Sequence, residues 1–171
     1  MTAVERKMPD RVDIGHHCAF SVGQAMHNQE KWIEAGSPQL SERMVMGYRL
    51  PAWQRPFVWT DSQKIKLIES LWLGLNIGTY TFNRSRHECS EYDNLLIDGQ
   101  QRMKAIEDYL ADQFPVFGCV WSETTAIDKR GFETSRHFHC HITESTDDAY
   151  LRGYYNMMNF GGVSHVESER A

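Results

Sequence analysis

Leu95-Leu96-Ile97-Asp98-Gly99-Gln100-Gln101-Arg102 is the stretch on which the reading of this chain turns. Three consecutive apolar residues suit a short strand buried on both faces. The run breaks at Asp98-Gly99, and from about Gln101 to Leu110 the pattern is helical. A strand, a glycine turn and a helix start in direct succession aim free backbone N–H groups at one point, and Gly99 lets a ligand come close to the main chain. Such a terminus favours an anion. Asp98 could hold a divalent metal or act as a base, Gln100 and Gln101 could orient a water or a hydroxyl, and Arg102 could neutralise charge on a transferred phosphoryl group. The structural alternative is ordinary: Asp98 as a helix N-cap, with Arg102 in solvent.

Upstream, Leu50-Pro51-Ala52-Trp53-Gln54-Arg55-Pro56-Phe57-Val58-Trp59 sets one amide and one guanidinium among rings and prolines. Arg55 offers a planar fork suited to phosphate, while Trp53, Phe57 or Trp59 could stack a base or simply pack as a structural corner. Thr60-Asp61-Ser62-Gln63 reads as a helix start leading into Ile65, Leu67, Ile68, Leu71, Trp72 and Leu75, with Gly74 and Gly78 at its end. Ser21 to Glu34 reads as another helix, with Ser21 as N-cap and Gly36 as stop. Ser37 to Ser41 is a turn, Arg43 to Leu50 a short extended segment, and Thr79 to Asn83 a strand rich in β-formers. Arg84 to Asn94 is a charged hairpin or loop.

Downstream, Phe114 to Trp121 and His137 to Ile142 are predicted strands, and Asp147 to Asn159 a helix ending at Gly161-Gly162. Asn159 can bond backbone groups of that glycine turn, or simply cap the helix. His137, His139 and His141 alternate with apolar residues, so a strand would set three imidazoles on one face. A metal site is conceivable there; without a carboxylate or Cys at matching spacing, a polar strand facing solvent or substrate is the plainer reading. Glu69 and Glu107 lie inside predicted helices and read as surface charges.

With 171 residues and 41% hydrophobic content, the chain is sized for one domain with a real core: residues 1–20 as a loose N-terminal segment and 21–171 as the domain. A net charge of −5 argues against a general nucleic-acid coat. Cys18, Cys89, Cys119 and Cys140 form no CxxC pair and read as reduced thiols of a cytoplasmic protein. No apolar stretch approaches the ~18 residues of a membrane span, so no membrane partner is expected.

The order Pro-x-Trp-Gln-Arg-Pro-Phe-x-Trp, Leu-Ile-Glu-Ser, Gly-x-x-Ile-Gly, Leu-Ile-Asp-Gly-Gln-Gln-Arg resembles the N-terminal nucleotide-handling domain of GmrSD-type restriction systems, over about residues 45–165. It resembles the branch of the ParB/sulfiredoxin-like superfamily that carries the Asp-Gly-Gln-Gln-Arg motif. That implies an α/β (α+β) domain with a small mixed sheet flanked by helices, a site for ATP or another NTP with Mg2+, and work on DNA, modified DNA above all, as substrate or target in a bacterial or phage-infected cell. Residue by residue, Gln54 and Arg55 fall on the family's Gln-Arg pair, Asp98, Gly99, Gln100, Gln101 and Arg102 on its signature, and Asn159 on its later Asn-x-x-Gly turn; Trp53 stands where an aromatic is usual. The restriction proteins continue into a His-Asn-His nuclease, which this sequence lacks up to Ala171. The expectation is therefore that a nuclease partner supplies the output, or that a γ-phosphoryl group passes to an acceptor such as a hydroxymethylated base in DNA. Other expectations kept open are a stand-alone NTPase subunit, a ParB-like DNA nuclease and a non-catalytic nucleotide sensor.

Overall fold

A computed structural model describes residues 15–34, 43–85 and 91–160. The elements are β1 (His16–Cys18), α1 (Val22–Glu34), β2 (Met44–Val45), β3 (Tyr48–Arg49), α2 (Asp61–Trp72), β4 (Thr79–Asn83), β5 (Leu95–Asp98), α3 (Gln100–Leu110), a short 3-10 turn (Trp121–Glu123), α4 (Ala126–Ser135), β6 (His139–Thr143) and α5 (Asp148–Phe160). Six strands form one mixed sheet in the order β1-β6-β4-β5-β3-β2. The β4–β6 and β3–β5 pairs are parallel and the others antiparallel. This is the small α+β domain that the sequence implied. No helix among the described residues is long and apolar enough to cross a membrane.

The two faces of the sheet are covered unequally, and the sequence of each strand follows. On one face Tyr80, Phe82, Leu96 and Cys140 meet Val22, Ile68, Met103, Ile106 and Phe132 in the main core. On the other, Leu95 and Ile97 pack beneath Leu151, Tyr154 and Tyr155 of α5. The central strand β5 is thus buried on both sides, which is why Leu95, Leu96 and Ile97 are all apolar. Strand β6 instead alternates: Cys140 and Ile142 are buried, while His139 and His141 are only half-covered.

Local signals fix several ends. Thr60 accepts from the Gln63 N–H while Gln63 reaches back to the Thr60 N–H, the capping box expected for α2. Thr125 and Asp128 do the same for α4, a helix that the strand-centred reading of this region passed over. At α5, Asp147 accepts from the Ala149 and Tyr150 N–H groups. Asp108 of α3 receives Lys64 of α2 at 2.9 Å and Lys104 at 2.8 Å. Burial opposes its charge, yet the hydrogen bonds from Lys104 and Lys64 outweigh burial and hold the carboxyl below its usual range.

Four expectations are corrected. Residues 16–18, placed in the N-terminal segment by composition, form an edge strand against β6. Arg43 to Leu50 is a tight hairpin rather than one extended segment, turning at Met46-Gly47 with both φ angles positive (48° and 77°). Phe114 to Trp121 is no strand: Val116 and Cys119 bridge across a turn at Phe117-Gly118, again with positive φ at both positions. Glu107 is no surface charge, since it accepts from the Met46 N–H at 2.9 Å and pairs with Lys104 at 2.8 Å. The proposed stop at Gly36, the turn Ser37 to Ser41 and Gly161-Gly162 lie outside the described residues.

Met46 is a costly residue at positive φ, and Glu107 with Asn28, which donates to the Met46 carbonyl at 3.1 Å, holds it there. Replacing Glu107 with Ala strands the Met46 N–H. The expected loss is about 1–3 kcal/mol in a urea unfolding measurement, with no change in helix content by circular dichroism.

Candidate functional site

Gly99 caps α3 at φ 96°, without any side-chain cap. A Cβ at this position would stand 2.6 Å from Tyr80 Cβ, so glycine is required by space as well as by φ. Asp98 therefore is not the N-cap; it ends β5 opposite Thr81 of β4, where an irregularity in register leaves Ile97 between the Leu96–Phe82 and Asp98–Thr81 pairs. Asp98 Oδ2 accepts from Arg102 Nη2 at 2.8 Å, one helical turn on. Arg102 also donates through Nη1 to the Ile77 carbonyl at 3.3 Å, and its guanidinium lies 5.8 Å from the centre of the Phe138 ring. It is not a free solvated arginine.

The three glutamines hold the segment that precedes α2. Gln54 is buried and donates through Nε2 to the carbonyls of Leu96 and Ile97 on β5. Gln100 Nε2 donates to the Arg55 carbonyl at 2.9 Å. Gln101 Nε2 donates to the Pro56 carbonyl at 2.9 Å, and its Oε1 accepts from the N–H groups of Val58 (3.0 Å) and Trp59 (3.2 Å). The amide of Gln101 is committed to the main chain, which corrects its expected role as a group orienting water. Gln54 Oε1 and Gln100 Oε1, by contrast, are buried and have no partner. Unsatisfied buried acceptors of this kind call for a donor or a cation.

A cleft of about 460 Å3 opens at the α3 N-terminus. Its walls include Gln54, Arg55, Asp98, Gly99, Gln100, Gln101, Arg102 and Asn159, so the structure brings eight of the nine candidate residues to one place from three distant parts of the chain. Asn159, whose Nδ2 donates back to the Tyr155 carbonyl at 2.9 Å, comes from the far end of α5. The Arg55 side chain is exposed, while its carbonyl is held by Gln100 and Arg43. Trp59, one of the rings offered for stacking a base, lines the cleft with Leu67, Ile77, Tyr155 and Met158, an apolar wall whose other members sequence reasoning did not assign to the site.

Trp53 is the exception. It lines a separate cavity of about 540 Å3 with Arg43, Arg49 and Arg152, donates to Asp148 at 3.3 Å, and packs at 5.0 Å against the Tyr155 ring. It does not line the cleft and reaches it only through the Tyr155 ring, which does. The cations of that second cavity are spent: Arg43 on the Gln54 and Arg55 carbonyls, Arg49 on the Asp93 carbonyl, Arg152 on Asp148.

The histidines lie beside this site. His141 of β6 and Asp98 of β5 are both in register with Thr81 of β4, and His17 of β1 is in register with His141. Burial and the neighbouring His17 hold the His141 imidazole below its ordinary pKa. Burial likewise raises the Tyr154 hydroxyl; its hydrogen bond with Thr81 works the other way and the Asp98 charge adds to the rise.

With this geometry in hand, comparison with known families returns a match to the GmrSD restriction endonuclease N-terminal domain over residues 38–164. The chain belongs to the GmrSD N-terminal domain family. The matched span contains the whole cleft, including Gln54, Asp98-Arg102 and Asn159, and membership ties the chain to restriction systems. No curated protein and no solved structure matches it.

Gln101 gives the clearest structural test within this GmrSD-type domain. Gln101→Ala is expected to free the Val58 and Trp59 N–H groups, raising their hydrogen-exchange rates by about tenfold or more while the interior amides of α3 stay protected.

Proposed function

We propose that the cleft binds a nucleoside triphosphate with Mg2+ and transfers its γ-phosphoryl group, in the service of DNA modification or of defence against foreign DNA. The observation that carries this reading is the convergence of Arg55, Asp98, Arg102, two orphaned amide oxygens and a bare helix N-terminus on one cleft. The free N–H groups of the first turn of α3 and the two guanidiniums are donors suited to phosphate oxygens. The cleft's volume falls among small-molecule sites, which run roughly 300–1,000 Å3.

The donor set also suits a hard cation. Asp98 with Gln54 Oε1 and Gln100 Oε1 would hold Mg2+, which prefers oxygen ligands and supplies charge neutralisation on the phosphates when bound. In the reading favoured here, Asp98 accepts the proton of the attacking hydroxyl as its oxygen bonds to the γ-phosphorus. The bond to the leaving diphosphate oxygen breaks, and Arg102 and Arg55 take up the charge that develops. The acceptor is a hydroxyl on a modified base in DNA, or water if the domain is an NTPase. Kinship with ParB/sulfiredoxin-like domains is part of this reading.

The test is incubation with γ-labelled ATP and Mg2+ alongside plain or hydroxymethyl-pyrimidine DNA, following label in DNA and in free phosphate. Label in the hydroxymethylated DNA supports transfer to a base, and free phosphate alone supports hydrolysis. Asp98→Ala and Arg102→Ala are each expected to lower the rate about 100-fold or more. Full activity in both variants would remove the site from the cleft.

A further inference from the structure

Two thiols face each other at the β1–β6 edge of the sheet. The register of β1 on β6 sets Cys18 directly opposite Cys140. Side chains opposite each other in an antiparallel pair leave the same face. Here that is the core face: Cys140 is fully buried in the main core, and Cys18 packs against it while keeping partial exposure. Both are free thiols. The fold makes this pair from residues far apart in the chain, where no CxxC spacing announces it.

The ladder sets the separation. Hydrogen bonds from Val22 N to Arg136 O and from Phe138 N to Phe20 O flank the Ser21–His137 bridge, which makes the even-numbered pairs of this register the hydrogen-bonded ones. Cys18 and Cys140 continue that series. Such pairs hold their Cα atoms about 5.5 Å apart. Disulfides span Cα separations of about 4.4–6.8 Å, most often ~5.5–6 Å, so the backbone already stands at bridging distance. The side chains meet as well: the Cys140 thiol is in hydrogen-bond contact with the Cys18 thiol and with the Tyr80 hydroxyl.

We propose that Cys18 and Cys140 are a redox-active pair, which a low-molecular-weight disulfide of the oxidised-glutathione class converts into a cross-strand disulfide that staples β1 to β6. The two thiols take unequal parts. Burial pushes the Cys140 thiol up to about 12, which makes it a poor first nucleophile. Cys18, partly exposed on the edge strand, meets the oxidant. Its sulfur, the proton lost to water, attacks one sulfur of the small disulfide; that S–S bond breaks and one small thiol leaves, taking up a proton. The Cys140 sulfur gives up its own proton and attacks the Cys18 sulfur of the mixed disulfide, and the second small thiol departs. Two protein thiols lose two electrons, and one small disulfide is reduced to two thiols. Strand β1 has β6 as its only neighbour in the sheet, so the bond fixes a strand otherwise held from one side. It also closes the long loop from residue 18 to residue 140, the case in which a cross-link restricts the unfolded chain most. Its inner sulfur touches Tyr80, the residue that leaves no room for a side chain at Gly99.

Incubation of the intact protein with oxidised glutathione at mildly alkaline pH tests the pair. The sample is quenched with acid, its remaining thiols are alkylated, and its tryptic peptides are read by mass spectrometry, with a melting curve taken in parallel. The expected product joins the peptide of Cys18 to that of Cys140, lighter by two hydrogens than the reduced peptides together. Its Tm is expected to stand about 5 °C or more above that of the reduced protein and to return on adding dithiothreitol. Cys18→Ser should lose both the link and the rise in Tm, while Cys119→Ser, at an exposed thiol, should keep both. Circular dichroism checks that the variants are folded, and Cys18→Ala replaces Cys18→Ser if the latter is not. Recovery of Cys18 and Cys140 on separate peptides, alkylated or bearing glutathione, would overturn the assignment. So would a bond from either to another cysteine, or a link that leaves the Tm unchanged or lower.

Discussion

Residues 54–59 cross the end of β5 without joining the sheet, and amide side chains take the place of strand partners for them. Gln54 anchors the segment to the Leu96 and Ile97 carbonyls, Gln100 takes the Arg55 carbonyl, and Gln101 takes one carbonyl and two N–H groups. Everything about the cleft depends on this clamp, since it sets Arg55 beside the α3 N-terminus and leaves two amide oxygens unsatisfied inside. A buried glutamine is tolerated only where its hydrogen bonds are specific. Two of the three glutamines here spend the amide nitrogen on the fold and leave the amide oxygen buried without a partner.

The clamp works because β5 is fixed from both sides. Its apolar residues face the main core on one side and α5 on the other, and the strand then ends in a glycine that Tyr80 allows to be nothing larger. Arg102 closes the arrangement by joining Asp98 to the Ile77 carbonyl above Gly78, where a Cβ would meet its Nη1 at 2.6 Å. Rigid positioning of this kind suits the phosphoryl transfer proposed for the cleft, a reaction that leaves little covalent chemistry for the side chains to do.

Much of this was legible in local sequence. The apolar triplet before Asp98-Gly99, the Thr60–Gln63 box and the alternation through His139, Cys140 and His141 each express a constraint acting over a few residues. The misread parts depend on contacts distant in sequence. Met46 sits at positive φ because Glu107 and Asn28 hold it, and nothing in Met-Gly alone announces a hairpin. Phe114 to Trp121 has strand-like composition, yet Phe117-Gly118 turns the chain after a single bridge. At the candidate site the residues were identifiable but their division of labour was not. Trp53 faces the opposite cavity and Gln101 is consumed by main chain, and both facts depend on where α5 and the 54–59 segment lie in space.

The central claim is that the nucleotide occupies the cleft at the α3 N-terminus. Amide chemical-shift mapping with a non-hydrolysable ATP analogue and Mg2+ tests it most directly. The account requires the largest shifts at Gly99, Gln100, Gln101 and Arg55, with lesser changes at Asn159. Shifts confined to the cavity of Trp53, Arg49 and Arg152, or none at saturating analogue, would contradict it.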